Sequence, residues 1–387
     1  MTLRCEVLVV GAGVAGVPAA VAAARAGAQT VLIEKGSFPG GTGVAGLHQY
    51  ICGLYLNSDP PSGELLNAGL VAEICRLMGE NERLGTGRRL GRVDVLPYSP
   101  ARFQTVLSGL MSHESRLQVM FGAAVKGAGY DGNRITSVYT DAGEMIPRIV
   151  IDCSGDGVII QSSPELHEIR PEHERQLAGG AVYFKGISDP HEMLAIRVPY
   201  ALRLAKDAGR LPSELQFSVF SSQPESGEGW CKLSFLPAGL RRGRTVAEAA
   251  KRVHAVLKEL LVEFAGSEIA GVSPEVLERE GACLKGCYKL TGDDIRVGRK
   301  FSDGIVRNAW PMECWVQGRG PTYDYVPAGD YYEIPLRCLK AAAASNLLCA
   351  GRCISVSFEA LGSTRVMGPC MAMGEVAGKE AAGMAQV

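Results

Sequence analysis

The glycines at positions 11, 13 and 16 constrain this chain more than any other feature. They stand in Gly11-Ala12-Gly13-Val14-Ala15-Gly16, directly after the apolar run Cys5-Glu6-Val7-Leu8-Val9-Val10. A short run of that kind reads as a buried parallel strand. The alanine-rich stretch that follows, to about Ala26, reads as a helix broken at Gly27, and a second strand from Thr30 to Ile33 ends on Glu34. Each position has a physical task. Gly11 permits the tight turn, Gly13 lets the backbone approach a pyrophosphate, and Gly16 lets helix and strand pack closely. The helix N-terminus offers unpaired N–H groups and a partial positive charge to phosphates. Glu34, 23 residues after the first glycine, sits where a carboxylate can accept both ribose hydroxyls of an adenosine, and it would repel the extra phosphate of NADP. Strand, fingerprint, helix, strand and acid occur in order, and together they predict a dinucleotide site.

Composition agrees. Glycine makes up 48 of 387 residues, well above the roughly 7% of ordinary usage, with no collagen period and no low-complexity block. Forty Lys and Arg stand against 41 Asp and Glu without a long one-sign tract, so nothing in the charge suggests a nucleic-acid groove or a polybasic membrane patch. Aromatics at 6% are too sparse for a base-stacking platform. Eighteen uncharged residues run from Val7 to Ala24, long enough for a membrane span or secretory signal, but the three glycines and Pro18 fit strand, turn and helix better. The twelve cysteines include no Cys-x-x-Cys; the closest pairs, Cys283 with Cys287 and Cys349 with Cys353, match no standard zinc or iron–sulfur set. They are expected as reduced, mostly buried thiols of a cytoplasmic protein, with no metal site.

Three further segments favour FAD over NAD. Lys35-Gly36-Ser37-Phe38-Pro39-Gly40-Gly41-Thr42 resembles the second phosphate-proximal segment of flavoproteins with the glutathione-reductase type of FAD domain. Leu117 to Lys126, Arg134 to Thr140 and Ile149 to Asp152 read as strands, with a hairpin turn at Asp141–Glu144, and the last runs into Cys153-Ser154-Gly155-Asp156-Gly157. A β-meander ending in such a turn is typical of the same fold. The C-terminal stretch is the most specific: Ala350-Gly351-Arg352, then Ala360-Leu361-Gly362-Ser363-Thr364-Arg365-Val366, then a small-residue helix from Gly368 to Ala382.

With Tyr288–Ile295, Trp310-Pro311-Met312-Glu313 and Tyr332–Arg337, these motifs resemble an FAD-dependent oxidoreductase family related to heterodisulfide reductase and, more distantly, to fumarate reductase flavoproteins. The resemblance covers nearly the whole chain. It implies noncovalent FAD, with a helix start at Gly362–Val366 near the pyrimidine edge of the flavin. It also implies a cofactor site made of Gly11, Gly13, Val14, Ala15 and Gly16, of Glu34, Lys35, Gly40, Gly41 and Thr42, of Val125, Gly155 and Asp156, and of Gly351, Arg352, Ser363, Arg365 and Val366. Two departures lie on the substrate side. Ala282 and Cys283 stand where relatives carry consecutive arginines, and Phe358 and Glu359 where they often carry a histidine. The substrate of a relative therefore does not transfer.

The expected architecture is α/β. A Rossmann-like FAD-binding domain with a β-meander spans residues 1–160, with a helical insert at about 50–115 in which Glu64–Met78 and a Ser99-Pro100-capped segment to His113 form helices. An α+β substrate domain is inserted at 161–330, with strands at Val182–Phe184 and Trp230–Leu236 and a helix opened by a capping box at Thr245–Glu248. The FAD domain closes with 331–387. Candidates for chemistry are Glu359, as general base, and His48, its alternative, in the loop after the double glycine. Cys52 shares that loop; covalent flavin attachment through His48 or Cys52 is the minor reading. Arg296, Arg299 and Lys300 could meet an anionic substrate or form a solvated basic face. Arg365 suits a structural or a substrate role, and His254 a structural one. The function implied is hydride transfer between a small organic substrate and flavin N5. The alternatives are a flavin monooxygenase and a non-catalytic electron carrier within a larger complex, and a homo-oligomer or a redox partner protein is compatible with either. No nucleic-acid or membrane partner is expected.

Overall fold

The computed structural model describes residues 2–79, 87–223 and 226–386. Its first strand, Thr2–Val10, is buried from Val7 onward and pairs in parallel with Thr30–Glu34 on one side and with Gly143–Asp152 on the other. Leu117–Phe121 adds a parallel edge beside Thr30–Glu34. The strand Gly143–Asp152 has two partners on its far side. Its beginning pairs antiparallel with Arg134–Thr140, and its end pairs in parallel with Leu347–Cys349. The carboxyl ends at Val10, Glu34, Asp152 and Cys349 therefore share one margin of the sheet, the crevice where such folds bind dinucleotides.

Two helices lie side by side on this sheet. The fingerprint helix, Gly16–Arg25, is buried from Gly16 through Ala24. The C-terminal helix, Met367–Gln386, approaches it so closely that a Cβ at Gly374 would lie 2.0 Å from the carbonyl oxygen of Ala15, and one at Gly378 2.1 Å from that of Ala19. Small residues on both sides let the backbones meet, and the last helix thereby fixes the first.

A second apolar core belongs to a four-stranded antiparallel sheet in the order Val219–Gln223, Glu228–Phe235, Ala178–Lys185, Glu268–Val272. Val182, Phe184, Cys231 and Leu233 point to one face, where Leu194–Asp207 and Val246–Leu260 cover them. The capping box at Thr245 and Glu248 opens the second of these helices. This core runs from Ala178 to Phe264, whereas Ala282, Leu290, Ile295, Val306, Met312 and Ile334 pack into the first. The sheet's opposite face carries Tyr183, Trp230 and Lys232 and meets the loop after the double glycine, where Ser221 bonds Gln49 and Gly271 lies beside Leu47.

Three local expectations differ from the fold. Leu117–Lys126 is two strands, because Gly122 at φ +71° breaks it into the parallel edge and the start of the meander at Val125–Asp131. The last meander strand starts at Gly143, before the expected Ile149. In the 50–115 insert, Ser99 caps Pro100–Ser112 as its sequence indicated, but the earlier helix starts at Leu70, and Tyr50–Ile51, Arg88–Leu90 and Val93–Pro97 form a small sheet. Residues 80–86 of that insert lie outside the described residues.

Helix contact predicts a contrast between two glycines of the last helix. Gly374→Val should destabilise the fold by about 3 kcal/mol or more, since backbone must move. Gly383, with nothing within 4 Å of its Cβ position, should accept alanine with no loss and a gain of up to about 1 kcal/mol. Thermal unfolding measures both, and equal melting of the two variants would contradict this packing.

Candidate active site

The fingerprint turn is built from contacts no side chain could share. Gly11, at φ +94°, donates to the carbonyl of Ile33 at 2.7 Å, and a Cβ at Gly16 would fall 1.7 Å from the carbonyl oxygen of Gly11. At Gly13, by contrast, a Cβ would meet nothing within 4 Å. The turn itself does not require a glycine there; a ligand passing close to the backbone does. Gly40 donates to the carbonyl of Ala12 at 2.8 Å, and the Cβ position of Gly41 lies 3.3 Å from the Cα of Gly13, so the double glycine flanks the same space. Thr42 opens a short helix, Thr42–Ala45, at this point. Val14 and Ala15 are buried in the turn, and Gly351 packs against Ala15 from the last parallel strand, its Cβ position 3.2 Å away.

Glu34 stands at the margin of this space. Its carboxylate accepts from the backbone N–H of Ala12 and of Gly36, both at 2.7 Å, which fixes its orientation and leaves each oxygen a lone pair for a ribose hydroxyl. Ala123 donates to the backbone carbonyl of Glu34 at 2.9 Å, which brings the meander entrance at Val125 alongside. Lys35, Gly155, Asp156 and Arg352 form one cluster. Arg352 donates to the carbonyl of Gly155 at 2.7 Å and pairs with Asp156 at 2.5 Å, and Lys35 approaches Asp156 at 3.5 Å. These charges clamp three chain segments together.

The segment expected to start a helix at Gly362–Val366 is arranged differently. Gly362 to Thr364 complete a short helix, Phe358–Thr364, and the long helix begins at Met367. The Ser363 hydroxyl is buried and engaged by Tyr332 at 2.7 Å, by Asn308 and by the carbonyl of Trp310, so its role there is to hold the junction. Around the same junction Trp310 Nε1, Thr364 Oγ1 and Arg365 Nε are buried without a partner. Val366 and Cys52 pack against the buried cluster of Val93, Val95 and Trp310. Orphaned polar atoms beside an apolar surface suit the edge and face of a heterocyclic ring system. The phosphate-proximal turns and this junction thus fit the two ends of FAD.

His48 and Cys52 lie in the loop between them, and Gln49 of that loop accepts from Ser221 on the open face of the antiparallel sheet at 2.7 Å. Neither ring nitrogen of His48 is hydrogen-bonded within the described residues. Burial, with the positive charges of Lys232, Arg279 and Arg365, pushes its imidazole down to about 3, and burial pushes the Cys52 thiol up to about 12. Both influences on His48 favour the neutral imidazole. Glu359 is placed elsewhere: it is exposed, accepts from Ser357 at 2.9 Å and packs beside Gly292. Arg296, Arg299 and Lys300 are likewise on another surface, paired with Asp293 and Asp324, with Asp294 and with Asp330. His254 bonds Ser267 at 3.0 Å within the second core's rim. Lys232, Arg279 and Glu313, which sequence reading did not single out for chemistry, line the cleft. Of these, only Glu313 fell within a motif noted in the sequence, Trp310–Glu313.

An α/β fold with this crevice, these turns and a sheet facing them defines a flavin-type dinucleotide-binding enzyme. The chain belongs to the FAD dependent oxidoreductase family, whose model matches residues 6–178 and 183–386. It resembles the L-proline dehydrogenase of P. horikoshii at 12% identity and TM-score 0.47, over 98% of this chain and 93% of that one. It also resembles a geranylgeranyl bacteriochlorophyll reductase-like protein of Thermoplasma acidophilum at 12% identity and TM-score 0.47, over 100% and 79%. The alpha subunit of sarcosine oxidase from Rhizobium meliloti (strain 1021) is 53% identical over 39 residues, a match spanning 10% of this chain and 4% of that protein. Among the described residues, no group of His, Cys, Asp and Glu could hold a metal, all twelve cysteines are free, and no helix is long and apolar enough to cross a membrane.

This geometry sets different expectations for the turn and for the loop. Gly13→Val should leave the melting temperature close to wild type yet abolish FAD retention, because its side chain enters open space in the protein alone; Glu34→Ala should weaken FAD by about 1.5–3 kcal/mol. Full flavin occupancy in the folded valine variant would remove the fingerprint from the site. For His48, the ring signals in NMR should not titrate between about pH 5 and 8, since a depressed pKa leaves the ring unprotonated throughout that window. A midpoint near the ordinary 6.5 would show that neither burial nor the three cations act on it.

Proposed function

We propose that this enzyme is a dehydrogenase or reductase of a small organic substrate, which lies between the open sheet face and the flavin, with His48 as proton acceptor. Bound FAD supplies the two-electron chemistry by exchanging hydride at N5. The chain's own residues do the rest. The loop from Leu47 to Cys52 and the face bearing Tyr183, Trp230 and Lys232 close over the substrate and limit water. The single observation that carries this reading is the place of His48: an imidazole with no hydrogen-bond partner among the described residues, in the loop whose Gln49 is held by Ser221 on the open sheet face. Such a group can take the proton when a hydroxyl or amine is oxidised, or return it in the reverse direction. Its proton affinity is low because of burial and the neighbouring cations, and a substrate that offsets those charges would strengthen it as a base during turnover. Glu359, exposed and tied to Ser357, is a weaker candidate for that role.

The test is anaerobic single-turnover bleaching of the flavin by an oxidisable substrate found in a screen of small alcohols, amines and acids. His48→Asn should retain FAD and bleach about tenfold or more slowly, a barrier change of about 1.4 kcal/mol, whereas Glu359→Gln should match wild type. Slow bleaching in the Glu359 variant alone would reverse the assignment. Flavin reduction by nicotinamide only, followed by oxygen insertion into a bound organic molecule, would make the enzyme a monooxygenase.

A further inference from the structure

Three cations reach this cleft from separate parts of the chain, and none has a carboxylate in an ion pair among the described residues. On the sheet, Gly179, Ala181 and Tyr183 alternate onto the open face, and the Arg279 guanidinium fills the space above Gly179, its Nη2 3.1 Å from where a Cβ would stand. Lys232 is the cross-strand partner of Ala181 and shares that face. Arg279 also stacks on Trp315, 4.1 Å from guanidinium carbon to ring centroid. Trp315 donates to the Glu313 carboxylate at 2.9 Å, and Arg365 donates to the Glu313 backbone carbonyl at 3.1 Å, so the strand Met312–Val316 links the two arginines.

The acids on either side of Arg279 are engaged elsewhere. Glu278 pairs with Arg241 at 2.6 Å and Glu280 with Arg170 at 2.7 Å. Glu313 acts on both Arg279 and Cys52, and Glu278 also acts on Arg279, but neither carboxylate forms an ion pair with it among the described residues. Sequestering a guanidinium without a counter-ion is unfavourable, and burial with the neighbouring Arg365 charge pulls Arg279 down to about 9. A fold that keeps such charges unpaired in a cleft holds them for a ligand.

Resting on the reading of this cleft as the substrate site, we infer that the substrate carries a carboxylate, bound by Arg279 and Lys232 from the sheet face and by Arg365 from the flavin domain. A planar guanidinium matches the two oxygens of a carboxylate, and Lys232 and Arg365 bring further positive charge beside it. Binding the anion at the cations that surround His48 also places the rest of the substrate beside its imidazole.

The experiment is calorimetric and spectral titration of the FAD-loaded protein with acetate, malonate and benzoate, with their amides, and with inorganic phosphate. At least one carboxylate should bind saturably and shift the flavin absorbance, with its amide roughly 30-fold or more weaker, and Arg279→Met should weaken that carboxylate by a similar factor. Lys232→Met, on an exposed position of the sheet, should weaken it less and serves if the arginine variant does not fold. Equal binding of acid and amide, no binding by any carboxylate, or unchanged affinity in a folded Arg279→Met or Lys232→Met variant would overturn the inference. Phosphate binding tighter than every carboxylate would overturn it in favour of a phosphorylated substrate. In each of these outcomes the flavin is still bound; loss of FAD from the wild-type protein would instead be a failure of the functional reading.

Discussion

A Cβ at position 16 would lie 1.7 Å from the carbonyl oxygen of Gly11, and one at position 374 would lie 2.0 Å from that of Ala15. The first strand, the fingerprint helix and the C-terminal helix can occupy their places only because no side chain stands between them. That close approach sets the geometry of the crevice. It aims the N-terminus of Gly16–Arg25 across the carboxyl margin of the sheet, and it holds Gly13 where a backbone can meet a pyrophosphate. It also ties the last residues of the chain to the first, so the cofactor site exists only once both ends have packed.

From that frame the second sheet acquires its purpose. It buries one face in its own core and presents the other, with Tyr183, Trp230 and Lys232, across the crevice. A sheet with only one face covered has an amphipathic alternation, and its outward residues are free to serve a ligand. The loop after the double glycine bridges the two parts through Gln49 and Ser221, and places His48 among cations contributed by both. Proton affinity at His48 and anion affinity at Arg279 are thus two aspects of one electrostatic field.

What was legible in the sequence was what is local. Gly11, Gly13, Gly16 and Glu34 lie within one strand–helix–strand unit, so their spacing carries their geometry. The caps at Ser99 and Thr245 likewise announce helices that the chain forms. The substrate side was less legible, because it is assembled by tertiary packing. Arg279 reaches the cleft because Gly179, distant in sequence, leaves room for it, and Glu278 and Glu280 turn away to other arginines. Nothing in the local pattern distinguishes it from Arg296, Arg299 or Lys300, whose charges are paired with aspartates. Glu359 looked well placed between two flavin-side motifs, but Ser357 caps the short helix and leaves its carboxylate exposed. The break at Arg365–Val366, which separates that helix from the long one, depends on Asn308, Tyr332 and Trp310 gripping Ser363.

The central claim, that this crevice holds FAD, is tested most directly by denaturing the purified native protein in acid and identifying the released cofactor by chromatography and mass spectrometry. The account predicts a yellow protein that yields stoichiometric FAD with no flavin left on the polypeptide. Release of FMN or NAD, or a folded protein that neither contains FAD nor takes it up when supplied, would contradict it.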